Sequence, residues 1–248
     1  MNRTLELPQI AGKIEHAGLF FDKYFFAKEE NGKKDNEAEC KFLREVERIG
    51  QSELYPVFFK RYGAALEQSG ARVWQAQSLA RVATGLGNAS PIENGFNFHH
   101  SFGVPVLPGS GLKGLAAAFA RAKIVDESGG KDARWQMGGE YYRTLFGDTD
   151  ESGSVVFFDA LPKPNNWKLV ANVMTPHHSD YNADGKKPPA DWDSPTPVPF
   201  LSASGTWQFA LGGEESWTKI ARTILEKALE DSGFGAKTSS GFGRFNTK

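Results

Sequence analysis

The stretch Gly233-Phe-Gly-Ala-Lys-Thr-Ser-Ser-Gly-Phe-Gly-Arg-Phe245, near the end of the chain, carries the strongest structural signal in the sequence. Its four glycines alternate with two cations, three hydroxyl side chains and three aromatic rings, and it contains no acid. Glycine allows a backbone to adopt positive φ and to approach another chain closely. Successive N–H groups in such turns can form an anion-binding nest. The segment is therefore suited to binding a phosphodiester backbone.

We accordingly predict an anion-binding loop here. The side chains expected to contact phosphate are those of Lys237, Thr238, Ser239 and Arg244, and the expected backbone nest consists of Gly235, Gly241 and Gly243. Phe242 and Phe245 could stack on bases, as aromatic side chains do in sites for single-stranded RNA. The alternative interpretation is a glycine-rich hairpin whose phenylalanines belong to the hydrophobic core.

Composition limits what the rest of the chain can be. Its 248 residues are 40% hydrophobic, enough for one large domain or two small ones with a proper core. A net charge of −1 excludes a uniformly basic nucleic-acid-binding protein, so any such contact needs a local patch or shared partners. The single Cys40 excludes an internal disulfide. The sequence has neither an apolar signal region nor an apolar run of membrane length. Together with the single cysteine, this leads us to expect a cytoplasmic protein.

The pattern of apolar residues predicts a mixture of helices and strands. Helical spacing predicts helices at residues 42–49, 53–68, 71–82, 112–123 and 214–231. Apolar or alternating runs predict strands at residues 104–107, 155–161, 168–174 and 200–211. Segregated helices and strands favour an α+β fold, which we interpret as one domain, residues 1–248, with a helix-rich insertion over residues 28–82. Residues 176–199 hold six prolines and predict a long irregular loop that becomes ordered on a partner.

A second glycine-rich turn, Leu107-Pro-Gly-Ser-Gly-Leu-Lys-Gly114, follows a predicted strand and opens a predicted helix. Its G-x-G-x-x-G spacing matches a dinucleotide fingerprint, but no convincing βαβ repeat follows, which argues against that site. Free N–H groups and the helix dipole favour a phosphate instead. The residues expected to contribute are Ser110, Lys113 and Arg121, with Gly109 and Gly111 in a backbone nest. The alternative is that Pro108-Gly-Ser only caps the helix.

Candidate catalytic groups are few. The pairs His99-His100 and His177-His178 could supply acid–base catalysis or metal ligands, but adjacent residues of a strand point to opposite faces and chelate poorly. Asp148, Asp150 and Glu151 sit in a turn-like stretch without a tight cluster. We therefore expect no catalytic residue, no metal and no cofactor, and interpret the histidines as structural.

Several motifs together resemble one family. Gly85-Leu-Gly, Glu93-Asn-Gly95 and Pro108-Gly-Ser-Gly-Leu-Lys-Gly114 are similar to the front motif of the RAMP superfamily of CRISPR proteins. Gly153-Ser-Val-Val-Phe-Phe-Asp-Ala160 resembles its central strand, and residues 237–245 resemble its C-terminal glycine-rich loop. The resemblance covers roughly residues 79–248. Narrower motifs, Met174-Thr-Pro-His-His-Ser-Asp-Tyr181 and the stretch 191–201, are similar to the sixth-subunit family of the Cmr (type III-B) effector complex.

This resemblance implies a ferredoxin-like (RRM-like) core with inserted helices. It implies a non-catalytic subunit that binds CRISPR guide RNA near its 3′ end, meets target RNA and packs on other Cmr RAMP subunits. The runner-up is a RAMP-type endoribonuclease that processes CRISPR repeat RNA with His99 or His177. A third possibility is a structural capping module that never contacts RNA.

Overall fold

The computed structural model describes residues 14–25, 36–175 and 197–247, together with Gly185, Pro188, Ala190, Asp191 and Pro195. The α-helices within these residues are α1 (Ala17–Lys23), α2 (Asn36–Glu47), α3 (Leu54–Gln68), α4 (Gly109–Lys123), α5 (Glu140–Phe146) and α6 (Glu215–Asp231). The strands are β1 (Arg72–Ser78), β2 (Val155–Phe157), β3 (Leu161–Met174), β4 (Val198–Gly213) and β5 (Phe245–Asn246). Two short 3₁₀ helices span Ala133–Trp135 and Thr238–Ser240.

These strands form one antiparallel sheet around β4. On one side β4 pairs with β1, from Arg72↔Leu211 to Gln77↔Thr206. On the other side it pairs with β2 near its end and with β3 along most of its length. β5 pairs with the outer edge of β1, so the order is β2-β4-β1-β5, with β3 also on β4. An antiparallel sheet with separate helices confirms the predicted α+β class.

The helix predicted over residues 71–82 is wrong, because this segment contains β1. Trp74, Ala76 and Ser78 are buried while Gln75 and Gln77 are exposed. This alternation has the period of two that belongs to a strand with one buried face. The helical interpretation depended on the spacing of Val73, Leu79 and Val82. Only Val73 belongs to β1, which ends at Ser78, so this spacing combines a strand with the residues that follow it.

Most other sequence predictions hold, with shifted boundaries. The helices predicted at 42–49, 53–68, 112–123 and 214–231 correspond to α2, α3, α4 and α6, and the strands at 168–174 and 200–211 to β3 and β4. The run 155–161 divides between β2 and β3, and residues 104–107 make only isolated bridges. The predicted proline-rich loop lies largely outside the described residues, although its last two, Val198 and Pro199, already belong to β4.

The hydrophobic core lies between the sheet and the helices α4 and α6, which pack against each other. α6 contributes Ala221, Leu225 and Leu229, all at most 1% exposed. The ring of Phe209 on β4 stacks on Trp74 at 5.6 Å and meets the edge of Phe245 at the same distance. Within the part of the chain that the structure describes, no helix has the length and apolar character to span a bilayer.

The C-terminal glycine-rich segment lies at the end of the sheet that β1 does not reach. Beyond β1 the chain continues beside β4, where Val82 pairs with Ala203. The C-terminal segment joins the outer edge of this extension through the Ala83↔Ala236 bridge. The sheet at this end therefore has the order β3, β4, residues 80–83 and residues 234–243.

Candidate nucleic-acid interface

The C-terminal segment forms a compact loop with unpaired backbone donors. Lys237 adopts the left-handed conformation, with φ of 60°, and a 3₁₀ turn follows before Gly241 at φ of 86°. The N–H groups of Lys237, Thr238 and Ser239 donate no hydrogen bond to any other described residue. Consecutive free N–H groups in this conformation form the concave donor array that binds anions.

The nest differs from the predicted glycine nest. The N–H of Gly241 donates to the carbonyl oxygen of Thr238 at 3.1 Å, and the N–H of Gly243 donates to that of Arg81 at 2.8 Å. These two glycines fix the loop to itself and to the sheet. The available donors come from non-glycine residues, while Gly235 keeps an N–H without an acceptor among the described residues.

A groove of about 650 Å³ lies beside this loop on the open face of the sheet. Its lining includes residues 171–174 of β3 and Phe200 of β4, and Asn172 is paired directly with Phe200. The loop supplies one wall and residues 80–81 supply part of the floor. None of the described residues that line this groove is an aspartate or a glutamate. We name it the first groove.

Lys237 projects into the first groove. Its ammonium nitrogen lies 2.8 Å from the sulfur of Met174 and 5.0 Å from the ring centroid of Phe200. Phe200 is only 3% exposed, so the cation sits over an apolar floor. A cation–π contact of this kind orients the charge without neutralising it. The ammonium group remains available to an anion in the groove.

The groove contains a second cation, Arg81, which the sequence did not single out. Its guanidinium donates to the side-chain oxygen of Asn172. The amide nitrogen of Asn172 donates to the hydroxyl of Ser202 at 2.6 Å and to the carbonyl of Val170 at 2.8 Å. Asn172 and Ser202 are 8% and 0% exposed, so a buried polar pair holds an exposed arginine in place. These residues are brought together only by strand pairing, so no spacing along the sequence indicates that they are in contact.

The two phenylalanines proposed to stack on bases have different positions. Phe242 is half-buried at the groove, with its ring 5.8 Å from that of Phe200. Phe245 is fully buried in the core against Phe209. Phe245 therefore cannot stack on a base, and for this residue the hairpin interpretation is correct.

Arg244 points away from the first groove. One of its guanidinium nitrogens donates to the carbonyl oxygen of Glu230 at 2.9 Å, in the last turn of α6. A cation at this position satisfies a terminal carbonyl and interacts favourably with the helix dipole. The structure thus gives Arg244 a stabilising contact at a helix end and does not bring it together with Lys237.

The start of α4 is already occupied by a carboxylate. The N–H of Gly109 donates to Asp159 at 2.7 Å. Ser110 is exposed, Lys113 is half-buried, and the N–H of Gly111 has no acceptor among the described residues. The two glycine-rich segments meet at Phe234, whose ring would lie 3.0 Å from a Cβ atom added to Gly111.

Arg121 lies far from the helix start that it was predicted to assist. It follows Ser110 by eleven residues, which places it roughly 16 Å along the helix axis. Its guanidinium carbon lies 5.9 Å from the ring centroid of Tyr142, and its Nε atom is buried without a hydrogen bond to any described residue. The helical rise therefore separates it from any anion at the start of α4.

The described histidines have structural contacts. The ring of His99 lies 5.4 Å from those of Phe58 and Phe102, and burial lowers its pKa, partly opposed by the nearby Asp159. His16 caps α1 by accepting the N–H of Leu19 and bonds the carbonyl of His100. His177 and His178 lie outside the described residues. Among the residues described, no three acidic, histidine or cysteine side chains are grouped to hold a metal.

Known proteins resemble this chain in sequence and fold. The model of the RAMP superfamily matches residues 75–246. The chain is 29% identical to the CRISPR system Cmr subunit Cmr6 of Pyrococcus furiosus, over 77% of this chain and 72% of the relative. It is 28% identical to the Cmr6 subunit of Saccharolobus solfataricus, over 69% of this chain and 54% of the relative.

A solved structure agrees in fold. One chain of the cryo-EM structure of the type III-B Cmr-beta complex bound to cognate target RNA matches 88% of this chain and 76% of its own length. The TM-score is 0.65 and the sequence identity 22%, so this likeness concerns the fold. Because the superfamily model covers well over half of the chain and includes both glycine-rich segments, the chain belongs to the RAMP superfamily, as a Cmr6-like member.

Proposed function

We propose that this protein is a non-catalytic, RNA-binding subunit of a type III-B Cmr ribonucleoprotein. Its similarity to two Cmr6 subunits supports the place in the complex. The observation that carries RNA binding is the first groove, where Arg81 and Lys237 lie on an open sheet face. The adjacent N–H groups bond no other described residue, and no acidic residue lines the described surface. In a chain with a net charge of −1, such a surface is a local cationic site.

The chemistry of the first groove suits an RNA backbone. Charged donors and backbone N–H groups bind phosphate oxygens without reading the base, so they suit a guide whose sequence varies. Phe242 and the apolar floor offer a surface for a base or a ribose. The site is therefore suited to a single strand passing over the sheet.

The topology supports a ferredoxin-like core. β2 and β3 both pair with the same side of β4 and count as one strand position. The order β1, α4, β2 with β3, β4, α6 and β5 is then β-α-β-β-α-β, with the short helix α5 added between α4 and β2. β1 and β4 are central, with β5 on one edge and β2 and β3 on the other. The helices α1 to α3 all precede β1, so they add to the core before its first strand and are not inserted between its elements. RRM domains use the open face of such a sheet for RNA, which agrees with the position of the groove.

In the complex, we propose that the chain binds the guide near its 3′ end and packs on neighbouring RAMP subunits. The target RNA would then contact the chain only through its pairing with the guide. This arrangement fits a near-neutral subunit whose RNA contacts are few and shared with partners.

A matched pair of double variants tests the proposal. The tagged protein is copurified from its host and the retained RNA is sequenced. Wild-type protein should retain CRISPR guide RNA, and Arg81→Ala/Lys237→Ala should lose most of it. Lys60→Ala/Arg61→Ala, which removes two exposed cations of α3, should not. Undiminished guide in the first variant, with intact folding and assembly, would contradict an RNA-binding role for the groove.

The absence of catalysis is tested separately. The purified chain should not cut CRISPR repeat RNA or target RNA, because the half-buried ring of His99 packs against two aromatic rings and has no described acid–base partner at the first groove. Specific cleavage that disappears in His99→Ala or His177→Ala would replace the proposal with the endoribonuclease alternative.

A further inference from the structure

A second groove of about 720 Å³ continues from the first along the same sheet face. The two share Ala80 and Arg81, which line both. The continuation runs along β3 and β4 toward Lys168 and Ser204, which are paired across the strands. We name it the second groove. Its described lining contains no aspartate or glutamate either.

Strand alternation places the floors of both grooves on one face. Lys168, Val170, Asn172 and Met174 are separated by two residues each on β3, so their side chains point to the same side of the sheet. The register from Trp167↔Gly205 to Met174↔Val198 is unbroken, so this face has no bulge. Lys168 is thus on the same surface as Arg81 and Lys237.

The surface is long enough for several nucleotides. Lys168 and Met174 are six residues apart, which corresponds to roughly 20 Å along the strand. Cations stand at both ends and in the middle: Lys237 beside Met174, Arg81 bonded to Asn172, and Lys168 beyond Val170. A spaced row of cations without acids fits a linear polyanion better than a compact anion or an acidic side chain.

The chemistry changes between the two grooves. The first has the half-buried ring of Phe242 and the exposed thioether of Met174, above the buried ring of Phe200. The second has the polar side chains of Gln77 and Ser204, which make no hydrogen bond to another described residue. An apolar section suits stacking of a base, and a polar section with a cation suits ribose hydroxyls and phosphate.

We propose that one single strand of RNA runs along this part of the sheet face, from the Lys237 loop over Arg81 to a second phosphate site at Lys168. Arg81 is the contact shared by both grooves, held in position by Asn172 and Ser202. This inference rests on the proposed RNA binding and extends it to a part of the sheet that carries none of the glycine-rich sequence.

The test measures binding of oligouridylates of about 4 and about 15 nucleotides to the full chain and to the assembled complex, as a function of salt. Lys168→Ala should lower the affinity for the long oligonucleotide roughly three- to fivefold near 0.15 M salt and reduce the salt slope by about 0.7, the value for one phosphate of a single strand. Binding of the short oligonucleotide, which the Lys237 end can satisfy, should change less. Lys168→Arg should retain the wild-type slope.

Lys163→Ala is the matched control, since Lys163 is an exposed lysine of the same strand that lines neither groove. If Lys168→Ala matches this control while wild-type protein binds the long oligonucleotide, the extended path is overturned and the proposed function stands. The same holds if Lys168→Ala weakens only the association with another subunit. If wild-type protein binds neither oligonucleotide, alone or assembled, the proposed function falls and the path with it.

Discussion

The two glycine-rich segments look alike in sequence but differ in what their backbone donors contact. At the start of α4 the first N–H is already bonded to the carboxylate of Asp159. In the C-terminal loop the N–H groups of residues 237–239 have no acceptor among the described residues, and Lys237 lies beside them in a groove without acids. A carboxylate of the chain itself therefore accepts one donor of the first segment, whereas no described carboxylate accepts a donor of residues 237–239.

This difference shows that a glycine-rich turn before a helix is not by itself an anion site. What matters is whether the fold supplies its own negative group. Asp159 lies in the chain between β2 and β3, 50 residues from Gly109, and only the pairing of Leu107 with Ala160 brings it to the helix start.

In both segments we expect a glycine to tolerate replacement by alanine only where the added Cβ would contact no other atom. Gly243 has φ of 75°, and an added Cβ would lie 2.0 Å from the carbonyl oxygen of Phe234; at Gly109 it would lie 2.1 Å from that of Phe157. We expect Gly243→Ala and Gly109→Ala each to lower the free energy of unfolding by about 3 kcal/mol or more, because a backbone must move.

The controls are Gly241 and Gly114, where an added Cβ meets nothing within 4 Å. Gly241→Ala should cost only about 1–2 kcal/mol, for its positive φ, and Gly114→Ala should be neutral or stabilising within a helix. Thermal or urea unfolding measures all four. Equal effects of Gly243→Ala and Gly241→Ala would show that close packing does not define the loop.

RNA binding should separate the segments most directly. Lys237→Ala and Arg81→Ala should each weaken guide binding in the assembled complex by about 1–3 kcal/mol, as expected for a cation on a phosphate in a partly desolvated site. The loss should be nearly independent of base sequence. Lys113→Ala at the start of α4 should have a smaller effect, because Asp159 repels phosphate there. A larger loss for Lys113→Ala than for Lys237→Ala would reverse the contrast.

Removing the carboxylate of Asp159 should leave the N–H of Gly109, at the start of α4, without its acceptor. Asp159→Ala takes away the acceptor of the Gly109 N–H and should cost about 1 kcal/mol of stability, the usual value of a lost helix cap. It should leave RNA affinity unchanged or slightly higher. Calorimetry and binding titration of one preparation check both. If RNA affinity fell, the carboxylate would have an unexpected part in binding.

Arg244 should affect stability more than binding. Arg244→Gln removes the charge at the end of α6 and should cost up to about 1 kcal/mol of stability. Guide retention should stay close to that of the wild type, in contrast to Lys237→Ala. Comparable losses of RNA from both variants would mean that Arg244 leaves Glu230 for a phosphate in the complex.

The smallest effect concerns pH near the α4 start. Burial lowers the pKa of His99 in the folded protein. The unfolded chain therefore binds more protons below an ordinary histidine pKa of about 6.5, and the stabilising neutral form is lost as the pH falls from there toward the folded pKa. Replacing His99 with Gln should reduce the loss of thermal stability between neutral pH and about pH 5. An unchanged pH profile would assign this dependence to other groups.

The sequence predicted a helix or strand correctly where the segment itself showed helical or alternating spacing of apolar residues. The apolar stripe of α6 and the alternating run of β4 needed no partner to be recognised. β1 was missed because Val73, Leu79 and Val82 fit a helical spacing when considered alone, and its burial pattern exists only once β4 lies beside it. The resemblance to the RAMP superfamily was carried by motif order, and the superfamily match confirmed it.

The candidate site was predicted in part. Lys237 was found because its neighbours form a recognisable loop, and the structure places it in the groove. Arg81, Asn172 and Ser202 were missed because they lie far apart in the chain and share no motif. Arg121 and Phe245 were assigned from residue type alone, and their surroundings direct them to an aromatic ring and to the core.

By itself the sequence determined the α+β class, most helices and strands, the family, and the presence of two glycine-rich segments. These follow from local periodicity, from the conformational freedom of glycine and from motif order along the chain. The tertiary fold sets which segment receives a carboxylate from elsewhere in the chain. Strand pairing brings Asp159 to one set of N–H groups and leaves the other beside Lys237 and Arg81 on an open sheet face. Such pairing between distant residues depends on the fold, because no local sequence pattern shows which side chain the fold will place beside a given backbone donor.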